Sequence, residues 1–148
     1  MQLTHYTDYS LRVLIFLSLE NEQRLVTINE IAEHFSIARN HLIKVVQRLG
    51  QLGYIITVRG KGGGIRLGKA AQDILIGQVV KDMEANLEVI DCSKPPCPLH
   101  GNCQLKGLLD EAQEAFLAVL NKHTLAELTQ QPEQIQTLLD WPPQLRKA

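Results

Sequence analysis

The three cysteines of this 148-residue chain, Cys92, Cys97 and Cys103, lie within twelve residues of one another. Their segment, CSKPPCPLHGNC, also contains three prolines, which stiffen it, and Gly101, which permits a tight bend. An odd number of cysteines does not suit a domain that is held together only by disulfides. Thiols confined to one loop therefore indicate a metal or redox role in a reducing compartment. Free or partly disulfide-linked cysteines are the less favoured alternative.

Two kinds of metal group suit this loop. Thiolates bind both iron–sulfur clusters and zinc, and His100 would complete a Cys3His set for zinc. The spacing Cys-x4-Cys-x5-Cys contains no CxxC knuckle of the kind that structural zinc loops use. Three thiolates spread along a loop suit a larger cluster, with a fourth ligand from elsewhere. The spacing therefore favours a cluster, while zinc stays open.

Basic side chains are concentrated in one part of the chain, although the formal net charge is only −1. No acidic residue occurs between Glu33 and Asp73. The same interval contains the basic residues Arg39, Lys44, Arg48, Arg59, Lys61, Arg66 and Lys69. A basic segment on a nearly neutral protein indicates contact with phosphate groups, although a solvated basic face would have the same composition.

The basic interval begins within a helix-turn-helix pattern. Thr27 followed by Glu30 predicts a capping box at the start of one helix, and Ser36 is the predicted N-cap of the next. The second helix, ARNHLIKVVQRL, has apolar residues at helical spacing on one side. Its other side carries the candidate DNA contacts Arg39, Asn40, His41 and Lys44. This layout is typical of a recognition helix that enters the major groove.

A β-hairpin is predicted directly after this helix. Residues 54–58 and 65–67 have the composition of two short strands, and RGKGGG lies between them. Glycines permit positive φ, and basic side chains are attracted to the narrow minor groove. The candidate wing contacts are Arg59, Lys61, Gly62 and Gly63. A plain flexible turn is the alternative.

The sequence after the cysteines predicts a long helix. Its apolar residues alternate in steps of four and three, as in a heptad seam: Leu105, Leu109, Ala112, Phe116 and Val119. Such a seam favours a dimerisation helix, although packing within one domain would also satisfy it. Because one recognition helix contacts only a short site, a two-fold pair would match a palindromic operator in double-stranded DNA.

The predicted fold is mainly α with a small β-wing. We expect a winged helix-turn-helix DNA-binding domain over residues 1–70. A connecting helix and cluster loop would cover 71–103, and a dimerisation helix and tail 104–148. No apolar run approaches the roughly 20 residues of a membrane span, and the first residues lack a signal-peptide layout, so a cytoplasmic protein is expected.

Enzymatic chemistry is disfavoured by the motifs. No paired carboxylates, nucleophile–base pair or substrate glycine loop accompany the cysteines, which weakens the alternative of an iron–sulfur enzyme or electron carrier. The spacing over residues 63–69 is that of a phosphate-binding P-loop, but Ala70 stands where the magnesium-binding Ser or Thr is needed. A zinc-stabilised regulator or interaction module remains the other alternative.

Four motifs in combination resemble the winged-helix iron–sulfur regulators of bacteria, and within them the nitric-oxide-sensitive repressors. These are the opening QLTHYTDY, the segment RNHLIKVV, the segment RGKGGGIRLGK and the three-cysteine loop. The resemblance covers nearly the whole chain. It implies a homodimer with one cluster per subunit, 4Fe–4S in preference to 2Fe–2S.

The resemblance also implies roles for particular residues. Cys92, Cys97 and Cys103 would be the cysteine ligands, and Asp8 of the partner subunit would complete the coordination. Reaction of the cluster with nitric oxide would release the repressor from promoters of nitric oxide detoxification genes. A family member with a different redox or iron signal is the alternative.

Two positions bear on the fourth ligand. The iron–sulfur biogenesis regulators of that family have a histidine ligand three residues after the third cysteine, where this chain has Lys106. His100 lies inside the loop instead, and we expect it to stay outside the ligand set. Asp8 also has an explanation without metal, namely stabilisation of a helix N-terminus and a pair with Arg12 one turn later.

Overall fold

The computed structural model describes residues 2–139, so the predicted end of order at Trp141–Pro143 lies outside the described residues. The described part is mainly helical with one two-stranded antiparallel sheet, as predicted. The elements are α1 (His5–Ser18), α2 (Ile28–Phe35), α3 (Arg39–Gln51), β1 (Ile55–Val58), β2 (Gly64–Leu67), a 3-10 helix (Ala71–Asp73), α4 (Ile76–Met83), α5 (Gln104–Leu120), α6 (Leu125–Leu128) and α7 (Pro132–Leu139).

The central helix of the fold is α1. Thr4 caps it, because its hydroxyl accepts a hydrogen bond from the backbone N–H of Thr7 (3.3 Å). Val13, Leu14 and Leu17 bury its apolar side. Neighbours α3, α4 and α6 pack around α1. The segments before and after the cysteines are therefore attached to the same helix.

The predicted capping box at α2 is confirmed. Thr27 accepts from the backbone N–H of Glu30 (3.3 Å), and the Glu30 carboxylate accepts from the backbone N–H of Thr27 (2.7 Å). The predicted role of Ser36 is wrong. Ser36 is the C-cap of α2 in the left-handed conformation (φ 54°), and it lies two residues before Ala38, the N-cap of α3. The turn is therefore made by its backbone, not by its hydroxyl.

The two strands of the wing agree with the prediction to within one residue. Ile55 pairs with Leu67 and Val58 with Gly64 in antiparallel register. Val26 adds a bridge to Ile65 with two backbone hydrogen bonds of 2.9 and 2.8 Å, which joins the hairpin to the segment before α2. The base of the wing is therefore hydrogen-bonded to the rest of the domain, whereas its tip is exposed.

One hydrophobic core crosses the predicted domain boundary at residue 70. Ile74, Val79 and Leu125 belong to the same buried cluster as Leu14 of α1. The backbone N–H of Leu125 donates to the carbonyl of Ile74 (2.8 Å), so the segment after α5 returns to the DNA-binding half. The division into three segments stays a prediction. No helix among residues 2–139 is long and apolar enough to cross a membrane.

A glycine sets the approach of α4 to α5. A Cβ atom at Gly77 would lie 2.7 Å from the carbonyl oxygen of Leu117 and 2.5 Å from the Asn121 side chain. Real Cβ atoms essentially never approach backbone this closely, so any side chain at this position forces the helices apart. Gly77 therefore allows α4 to pack closely against the C-terminal end of α5.

We predict that Gly77→Ala lowers the free energy of unfolding by about 1–3 kcal/mol, because over-packing displaces α5. The matched control is Gly50→Ala in α3, where a Cβ meets nothing within 4 Å. That control should gain about 0.5–1 kcal/mol from helix propensity. Urea unfolding curves measure both. Equal midpoints for Gly77→Ala and the wild type would contradict the close contact.

Candidate metal centre and nucleic-acid interface

The three cysteines line one cavity formed by their own loop and the first turn of α5. Tight turns fold their loop, with the backbone N–H of Cys97 donating to the carbonyl of Cys92 (3.1 Å) and that of His100 donating to the carbonyl of Cys97 (3.1 Å). Cys103 is the N-cap residue of α5. All three thiols are free and half-buried. The cavity measures about 260 Å³ and is lined by Cys92, Cys97, His100, Gly101, Cys103 and Lys106.

The side chains around the cavity are rich in sulfur donors. Within residues 2–139, no group of three or more His, Cys, Asp or Glu side chains is placed to hold one metal ion. The three thiols nevertheless share one cavity, and thiolates around a common space are the ligand set of iron–sulfur clusters. His100 lines the same cavity, so a Cys3His set stays chemically available.

A cation borders the cysteine cavity. Lys106 lines it and pairs with the carboxylate of Asp110 one turn along α5. The hydrogen bond to Asp110 holds the pKa of Lys106 above its ordinary value, and attraction from Glu88 and Cys92 adds to it. Lys106, three residues after Cys103, therefore places a positive charge at the edge of the cavity. The sequence alone did not predict that Lys106 would lie at the cavity.

Asp8 does not line the cysteine cavity of its own chain. It lies in the first turn of α1, where both of its carboxylate oxygens contact Arg12. Nε of Arg12 donates to Oδ1 (3.0 Å), and Nη2 lies 2.8 Å from Oδ2. The predicted pair with Arg12 is therefore present. The ligand role stays a prediction about a second subunit.

The outer face of α3 carries the predicted DNA contacts on one exposed surface: Arg39, Asn40, His41 and Lys44. No side chain caps the start of α3, which leaves its first backbone N–H groups and the positive end of its dipole directed outward. Nε of Arg39 donates to the Asn29 side chain of α2 (2.9 Å). The two helices of the motif are thus joined at the surface that would meet DNA.

Two tyrosines of α1 support this recognition helix. The hydroxyl of Tyr6 donates to the backbone carbonyl of Lys44 (3.2 Å). The ring of Tyr9 stacks on the His41 ring, with centroids 6.2 Å apart. The position of α3 therefore depends on the N-terminal half of α1.

An apolar residue on the recognition face was not among the predicted contacts. Ile43 is 36% exposed, and it lies three residues after Asn40 and four before Gln47. An aliphatic side chain at this place can contact the methyl group of thymine in the major groove. Helical spacing could have identified Ile43, because the polar residues Asn40 and Gln47 lie one turn before and after it on the same face.

The wing tip consists of Arg59, Lys61 and the glycines around them. The backbone N–H of Gly63 donates to the carbonyl of Gly60 (3.0 Å), and Gly60 and Gly62 have φ of 98° and 75°. Lys61 and Gly62 therefore form the exposed end of the turn. Gly63 lies at its base, where a Cβ would be 2.2 Å from the carbonyl oxygen of Val58. A side chain at Gly63 would therefore distort the turn, and its contact with DNA stays a prediction.

Comparison with known proteins identifies the family. The Rrf2 model, described as an iron-dependent transcriptional regulator, matches residues 3–131. The chain belongs to the Rrf2 family. The HTH-type transcriptional regulator NsrR of Bacillus subtilis strain 168 is 52% identical over 142 residues, which cover 94% of this chain and 97% of that protein. The protein of the same name from Bacillus licheniformis is 47% identical over 142 residues, covering 94% and 99%.

Solved structures confirm the fold. CymR, the global cysteine regulator of B. subtilis, superposes with a TM-score of 0.73 at 21% identity, covering 88% of this chain and 97% of CymR. IscR of T. potens gives a TM-score of 0.73 at 20% identity, covering 92% and 91%. The predicted resemblance and the winged-helix fold are therefore confirmed. This Rrf2 chain is a DNA-binding transcriptional regulator and not an enzyme.

We predict that Lys61→Ala weakens binding to all DNA sequences by a similar factor, because an exposed lysine at the wing tip would contact backbone phosphates and not bases. The slope of log K against log salt concentration should fall by about one. Lys81→Ala, an exposed lysine on α4, is the matched control and should change neither quantity. Fluorescence anisotropy at several salt concentrations measures both. An unchanged slope for Lys61→Ala would exclude phosphate contact by Lys61.

Proposed function

We propose that this Rrf2 regulator is a cytoplasmic homodimeric repressor that senses nitric oxide through one iron–sulfur cluster per subunit. The observation that carries the proposal is the single cavity lined by Cys92, Cys97 and Cys103 on a chain with a winged helix-turn-helix. The iron-dependent family and the 52% identity to a protein named NsrR support it. Nitric oxide itself, and 4Fe–4S in preference to 2Fe–2S, come from the resemblance of the four motifs.

Long helix α5 supports the homodimer. None of its residues is buried, and it packs mainly against α4. Leu105 and Val119 of the predicted seam are 57% and 54% exposed, and Leu108 beside it is 62% exposed. A second copy of the same helix would cover these side chains with a matching seam. This arrangement explains the apolar surface better than packing within one chain does.

The dimer would bind a palindromic operator in double-stranded DNA. Two copies of the α3 face would enter successive major grooves, about 34 Å apart, while the wing tips would follow the flanking minor grooves. The interval without acidic residues coincides with these surfaces, since α3 and the wing lie entirely within residues 34–72. Binding at a promoter would block transcription.

The chain's own residues would connect the metal group to DNA. When bound, the cluster supplies iron that nitric oxide can attack. The three thiolates would hold it, and Lys106 would offset part of its negative charge. Asp8 of the partner subunit would complete the coordination while one carboxylate oxygen still accepts from Arg12, because a carboxylate has several acceptor sites.

Loss of that ligand would change the support of the recognition helix. Asp8 would then contact only Arg12, so the tie between α1 and the other subunit would disappear. Because Tyr6 and Tyr9 of α1 contact α3, the recognition helices would lose their fixed spacing. DNA would be released, and genes for nitric oxide detoxification would be expressed.

The proposal is tested by absorbance spectroscopy of anaerobically purified protein, titrated with nitric oxide in the presence of labelled promoter DNA. We expect a brown protein that bleaches stepwise and releases the DNA over the same range of nitric oxide. Cys97→Ala should be colourless and lack specific binding. A brown protein indifferent to nitric oxide would support a family regulator with another signal. A colourless wild type with bound zinc would support a zinc-stabilised regulator.

Mixed dimers test the role of Asp8. A dimer of one Asp8→Ala chain and one Cys97→Ala chain keeps a complete ligand set only if Asp8 acts across the interface. We predict half the iron content of the wild-type dimer, with an unaltered absorbance spectrum. A dimer of two Asp8→Ala chains is the control and should give an altered spectrum. If the mixed dimer has the control's spectrum, Asp8 does not act in trans.

A further inference from the structure

The end of α4 is hydrogen-bonded to the start of α1, which supports the recognition helix, and to Tyr54, which directly precedes the wing. We propose that Glu84 and Asp82 are positioning residues that transmit the state of the cysteine loop to the recognition helix and the wing. The inference rests on the proposed function, because it requires a loop that changes state. These hydrogen bonds would transmit the change within one subunit, in addition to the proposed contact of Asp8 between subunits.

Glu84 connects the end of α4 to the start of α1. Its Oε1 accepts from the backbone N–H of Thr4 (2.7 Å) and from the Thr4 hydroxyl (3.1 Å). Thr4 is the N-cap of α1, and Glu84 is the C-cap of α4. A carboxylate at a helix N-terminus is stabilised by the helix dipole. One side chain, 80 residues away in sequence, therefore helps to cap the central helix.

Asp82 makes the corresponding connection to the wing. Its Oδ2 accepts from the hydroxyl of Tyr54 (2.6 Å), and its Oδ1 accepts from the Gln78 side chain (2.7 Å). Tyr54 directly precedes β1 and is buried, with the ammonium of Lys69 4.5 Å from its ring centroid. Burial, followed by the hydrogen bond to Asp82, raises the pKa of Tyr54, so the phenol stays a donor.

Within the described chain, Asp82 and Glu84 are the last residues before the cysteine loop whose side chains are hydrogen-bonded to distant parts of the fold. Cys92 follows Glu84 by eight residues, and residues 85–91 contribute nothing to the described core. A displacement of the loop therefore acts first on the end of α4. From Glu84 it reaches Thr4 and then Tyr6, which contacts Lys44 of the recognition helix. From Asp82 it reaches the base of the wing.

A merely structural role would have a different consequence. Removing a cap lowers the stability of the metal-loaded and metal-free protein alike, and leaves the ratio of their DNA affinities unchanged. A positioning role lowers that ratio, because the loop and the recognition helix become uncoupled. Couplings of this kind typically change affinity by 5–150-fold, which is readily measured.

The experiment compares operator dissociation constants of metal-loaded and metal-free dimers of the full chain. Glu84→Ala is the main variant, Glu84→Gln keeps the size and one acceptor oxygen, and Asp82→Asn tests the wing connection. Glu22→Ala is the matched control, since its exposed carboxylate makes no hydrogen bond or ion pair within residues 2–139. Absorbance, iron content and the urea midpoint are recorded for each protein.

We expect Glu84→Ala to keep its iron and absorbance while the affinity ratio falls by about tenfold. Glu84→Gln should lie between it and the wild type, Asp82→Asn should lower the ratio too, and Glu22→Ala should leave it unchanged. A wild-type ratio in Glu84→Ala and Asp82→Asn would overturn the inference alone, whatever their urea midpoints. Loss of iron from Glu84→Ala would also overturn it, because Glu84 would then belong to the metal site. Equal affinities of the two wild-type states would instead contradict the proposed function.

Discussion

Burial of one side of α1 is the constraint on which the rest of the structure depends. Val13, Leu14 and Leu17 lie in the core, and each such side chain contributes about 1.5–3 kcal/mol when removed from water. Because α3, α4 and α6 all pack on this helix, the DNA-binding half and the segments around the cysteines share one support. The polar end of α1 is thereby held between the recognition helix and the end of α4. The N-terminal turn of α1 is consequently the place where structural support and the proposed signalling meet.

The DNA-contacting elements and the cysteine loop differ in how the core supports them. DNA contact relies on exposed cations and backbone groups carried by elements whose other sides are buried in the core. The cysteine loop has no such backing, since its residues contribute nothing to the buried cluster within the described chain. Its order rests on local turns and on the helices at either end. A metal group bound by the thiols would add cross-links at the point where packing supplies few.

The sequence predicted those features that depend on neighbouring residues. The capping box of Thr27 and Glu30, the pair of Asp8 with Arg12 and the two strands all follow from local spacing. Ser36 was misassigned because residue type alone does not distinguish an N-cap from a left-handed C-cap two residues earlier. Contacts such as Glu84 with Thr4 join residues 80 positions apart, and no local pattern encodes them. The cysteine site was predictable as a donor set, but its cavity and the position of Lys106 at the edge of that cavity required the fold.

The place of the cysteine loop outside the core has a consequence for the lifetime of the molecule. A domain whose core contains its metal is discarded when the metal is damaged, because unfolding follows. Here the described core of α1, α3 and the wing contains none of the three thiols, so the polypeptide would outlast a metal group bound by them. Under the proposed function, the cell could restore such a sensor by supplying a new cluster, without synthesising a new protein. Recovery after exposure would then be set by cofactor assembly and not by translation.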